Sequence, residues 1–94
     1  MDTFFDVAGQ KLAELSGLTR LQSRGTIRII CAEAGHEKPE KVSKTELVEL
    51  LQKRLAQELK KRGIEDPEGV TGGVIESVKA APKFDRAYDA FSRI

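Results

Sequence analysis

Cys31 and His36 are the only thiol and the only imidazole in the chain, so nucleophilic chemistry of the cysteine type would have to use this pair. The imidazole would draw off the thiol proton to leave a reactive thiolate. Their placement does not favour it. The two positions stand five residues apart with the helix-stopping Gly35 between them, and a lone cysteine following Ile27, Ile29 and Ile30 reads as an inert core residue. One Cys and one His also fall short of the three or four ligands that a zinc or redox-metal site requires. His36 among Glu33, Glu37 and Glu40 reads as a solvated acidic loop. No catalytic residue, no metal site and no cofactor is therefore expected.

Residues 69–73, Gly-Val-Thr-Gly-Gly, resemble a phosphate cradle only in their glycines. They lack both the Lys-Ser/Thr ending of a P-loop and the spacing of a dinucleotide fingerprint. Close helix packing, or a hinge in a first helical turn, accounts for them better.

Arg20, Arg24 and Arg28 are the sharper feature, because four-residue steps on a helix stack them in one stripe. Residues 18–30 contain these three cations and no acid, in a chain whose formal charge is only +1. Guanidinium groups in register suit phosphates or an acidic protein surface; a solvated or internally paired face is the ordinary alternative. The second basic stretch, Lys60-Lys61-Arg62, has a local explanation, since a helix C-terminus favours cations.

These side chains need elements to hold them, and the apolar pattern supplies helices. Phe5, Ala8, Leu12 and Leu15 recur at helical steps over residues 4–15, with Asp2 or Thr3 placed to cap and Ser16-Gly17 to stop. Thr19 and Gln22 have capping-box spacing and open a second helix over 20–34. Its run Thr26-Ile27-Arg28-Ile29-Ile30-Cys31 is β-branched enough to read as a strand, but a single strand has no sheet to join, so a helix is expected. On that helix Leu18, Leu21, Ile29 and Ala32 share one side, with Ile27, Ile30 and Ala34 adjoining. Such breadth predicts a central, buried helix.

Residues 36–42, with Pro39 and dense charge, read as a loop. Ser43 and Glu46 then cap the strongest helix, residues 44–62, where Leu47, Leu51, Leu55 and Leu59 stand four apart. Gly63-Ile64 predicts a left-handed stop with an apolar clasp. Asp66-Pro67-Glu68 is a helix start, and Val70, Val74, Val78 and Ala81 form the apolar face that follows. Gly72-Gly73 predicts a late start or a bend there. After Pro82, the residues Phe84, Ala87, Tyr88, Phe91 and Ile94 give a short closing helix.

The fold expected is all-α: one compact domain over 1–94, of four to five short helices, orthogonal or bundle-like. Its core is expected to hold Leu21, Ile29, Ile30, Leu47, Leu51, Leu55, Leu59, Val74, Val78 and Phe91. Twenty-five of the 94 residues are Leu, Ile, Val or Phe, enough for a core without metal or disulfide support. The absence of Trp and an aromatic content of 5% leave few stacking platforms for bases or sugars.

A helix-turn-helix fits poorly, because residues 35–43 are too long a turn and carry Glu37 and Glu40 where phosphates would approach. A single cysteine and no basic-then-apolar start lead to a cytoplasmic expectation. Charges interrupt every apolar stretch, so no membrane is expected as a partner. The function expected is a small non-enzymatic protein-interaction or adaptor module, a regulator whose partner is another protein or a second copy. The alternative is a nucleic-acid-binding regulator using Arg20, Arg24 and Arg28.

Overall fold

Residues 3–81 are described by a computed structural model. Among them are four α-helices, α1 (Phe4–Ser16), α2 (Arg20–Glu33), α3 (Lys44–Lys61) and α4 (Pro67–Ala80), a 3-10 turn at Pro39–Lys41, and no strand. The all-α expectation holds. The predicted loop over 36–42 contains that 3-10 turn, which Pro39 opens. The expected closing helix, its core residue Phe91 and the candidate cap Asp2 lie outside the described residues.

Each helix starts where a side chain can take up free backbone donors. Thr3 caps α1 in a capping box with Asp6, and Thr19 caps α2 in one with Gln22. The Gln22 side chain accepts from the Thr19 N–H at 2.9 Å, and the Thr19 hydroxyl accepts from the Gln22 N–H at 3.0 Å. Ser43 accepts from the Glu46 N–H at 3.2 Å. Its hydroxyl in turn donates to the Glu46 carboxylate at 3.0 Å, so this reciprocal contact runs through the side chain rather than through the Ser43 backbone. Asp66 adopts φ 51°, a left-handed value that aspartate tolerates, and caps α4 by accepting from the Gly69 N–H at 3.2 Å.

Stops follow the same logic. Gly63 takes φ 71° after α3, and the Ile64 N–H reaches back to the Leu59 carbonyl at 3.1 Å while its side chain packs on the core. Gly35 takes φ 93°, which lets the His36 N–H reach the Cys31 carbonyl at 2.8 Å.

Paired residues show how the helices run. Arg24 meets Asp6 and Gly9, and Arg28 meets Phe5, so α1 and α2 are antiparallel. Leu15 meets Gly73 whereas Val7 and Lys11 approach Ser77, which makes α1 and α4 antiparallel as well. Lys44 contacts Lys79 and Ala81 at one end of the α3–α4 pair, and Lys60 contacts Glu68 at the other. α2 packs on α3 and closes the ring, leaving α1 and α3 diagonal across the core.

The leucine ladder Leu47, Leu51, Leu55 and Leu59 is fully buried, with Phe5, Leu12, Ile27, Ile30, Val74 and Val78. α4 runs through Gly72 and Gly73 from Pro67 without the predicted late start. A Cβ on Gly73 would overlap the Leu15 Cδ1 methyl, the end of a flexible side chain that is itself exposed and would have to move aside.

The structure corrects the burial of α2. Leu21 is 82% exposed and Ile29 41% exposed; neither is core. The face turned inward is Ser23, Thr26, Ile27, Ile30 and Cys31. The α1 backbone comes close to α2 at Gly9, where a Cβ would stand 3.0 Å from Arg24 Cγ. The Thr26 hydroxyl donates to the Gln22 carbonyl at 2.8 Å, so its burial leaves no donor unpaired. Leu21 and Ile29, two large apolar residues, are left on the opposite side.

Candidate functional site

The three arginines of α2 have separate fates. Arg24 is half-buried; its guanidinium pairs with the Asp6 carboxylate and sits 4.7 Å from the Phe5 ring centroid. Arg28 is exposed, with its guanidinium 5.6 Å from the same centroid. Arg20 is exposed and has neither an ion pair nor a side-chain hydrogen bond among the described residues. Glu33, the acid nearest in sequence, pairs with Arg54 of α3 at 3.5 Å instead. The stripe is therefore not a uniform set: Arg24 holds α1 against α2, while Arg20 and Arg28 remain toward solvent.

Asp6 is tuned by its role. Partial burial works against its charge, but hydrogen bonds from Arg24 and from the Thr3 backbone and hydroxyl outweigh that, and its pKa lies below the ordinary 3.8.

With a rotation of 100° per residue, Leu21, Gly25, Arg28 and Ala32 fall along the outward side of α2 with Ile29 at its edge, while Arg20, in the first turn, falls in line with the buried Ile27 and Cys31. Leu21, Arg28, Ile29 and Ala32 are all exposed and Gly25 is partly so. Leu21 and Ile29, assigned to the core from their apolarity, are the residues of this surface that sequence reasoning missed. Their apolarity matches that of the buried Ile27 and Ile30, so hydrophobicity within α2 held no signal to separate them.

The remaining candidates resolve into structural contacts. Lys60 pairs with Glu68 at 3.3 Å, while Lys61 and Arg62 pair with Glu58 at 3.5 and 2.6 Å. Arg62 and then Lys61 hold the Glu58 carboxyl below its usual range despite its burial. Cys31 is fully buried, and burial pushes its thiol up to about 11. His36 turns its ring toward Glu46, Nε2 lying 3.8 Å from a carboxylate oxygen. A thiol held protonated in the core and an imidazole facing a carboxylate do not form a nucleophile–base pair. Residues 69–73 form part of α4, where the Asp66 side chain already takes the Gly69 N–H.

Surface depressions lined by His36, Glu49 and Lys53, by Gln10, Lys11 and Ser77, and by Thr45, Val48 and Gln52 enclose about 180, 200 and 280 Å³. Each is below the roughly 300–1,000 Å³ of small-molecule pockets. Among the described residues no three His, Cys, Asp or Glu side chains gather as a metal would require, and no helix is long and apolar enough to cross a membrane.

Comparison with protein-family models, with curated proteins and with solved structures finds no match to this chain.

Proposed function

We propose that this chain is a small non-enzymatic protein-interaction module, acting in the cytoplasm, that meets its partner through the outward face of α2. The observation that carries this is the 82% exposure of Leu21 on the same helix side as Ile29, Arg28 and Ala32. An exposed leucine alone is ordinary; an apolar pair one turn to either side of a glycine, with Arg28 on the same side, matches the composition of interface centres, where Arg is enriched. The nucleic-acid alternative has less support, because Arg24 is committed to Asp6 and the basic end of α3 to Glu58 and Glu68. Two arginines make a small electrostatic footprint for a phosphate backbone.

The test is affinity capture from a nuclease-treated native extract, run in parallel with the chain and its Leu21→Gln/Ile29→Gln variant. A protein identified by mass that the chain retains and the variant loses supports the assignment. The same captured set with both, or capture that nuclease abolishes, contradicts it.

A further inference from the structure

We draw no further inference here: the strongest candidate, the exposed apolar patch of Leu21 and Ile29 on the outward face of α2, belongs to the surface already described, and nothing in the structure shows what covers it.

Discussion

The Arg24 guanidinium pairs with the Asp6 carboxylate across the α1–α2 contact, joining residues 18 positions apart in sequence. The same Asp6 closes the capping box of α1, accepting from the Thr3 N–H at 2.9 Å, so one carboxylate fixes both the start of one helix and the seat of the next. A stripe of three equivalent arginines is thereby divided into one structural member, Arg24, and two that are exposed.

That pairing sets an acid dependence. The folded pKa of Asp6 is depressed, so its contribution is complete above its ordinary 3.8 and is lost as pH falls through the lower folded value. Asp6→Asn should cost about 1 kcal/mol at neutral pH. Its stability should also decline less steeply than that of the parent chain below about pH 4, as read by chemical denaturation at stepped pH. Parallel pH profiles would contradict the role given to Asp6.

The leucine ladder of α3 carries the core. Leu51→Ala and Leu55→Ala each remove a fully buried side chain, and each should cost about 2–5 kcal/mol in the denaturation free energy. Losses below about 0.5 kcal/mol for both would mean that another face of α3 is buried.

Cys31 should be chemically quiet. With its side chain fully buried and its thiol raised to about 11, a thiol reagent at neutral pH should label it slowly in the native chain and rapidly after unfolding. Fast native labelling would return Cys31 to consideration as a reactive group.

Gly25 weakens the interior of α2. Because a Cβ there meets nothing, Gly25→Ala should raise the unfolding free energy by about 0.5–1 kcal/mol. A loss in the isolated chain would show that the fold itself needs the glycine.

Local signals in the sequence were readable because their causes are local. Thr19 and Gln22 satisfy each other's backbone three residues apart, Asp66-Pro67 starts α4, and Leu47, Leu51, Leu55 and Leu59 share one helix face whatever packs on them. The orientation of α2 is a different kind of fact. It carries two apolar arcs, and which one turns inward is decided by packing against α1 and α3, including the close approach of Gly9 to Arg24, rather than by hydrophobicity within α2. Ser23 is buried with no hydrogen-bond partner among the described residues, an arrangement that a count of apolar positions would not choose. The commitment of Arg24 was hidden for a similar reason, because its partner lies on another helix.

The most direct test of the account is the unfolding free energy of the Leu21→Gln/Ile29→Gln variant in the absence of any partner. If the outward face of α2 is surface kept free for another protein, the variant should stay within about 1 kcal/mol of the parent chain. A loss of about 3 kcal/mol or more, the scale of a disrupted core, would show that the chain already covers Leu21 and Ile29 itself, and would contradict the assignment of this face to a partner.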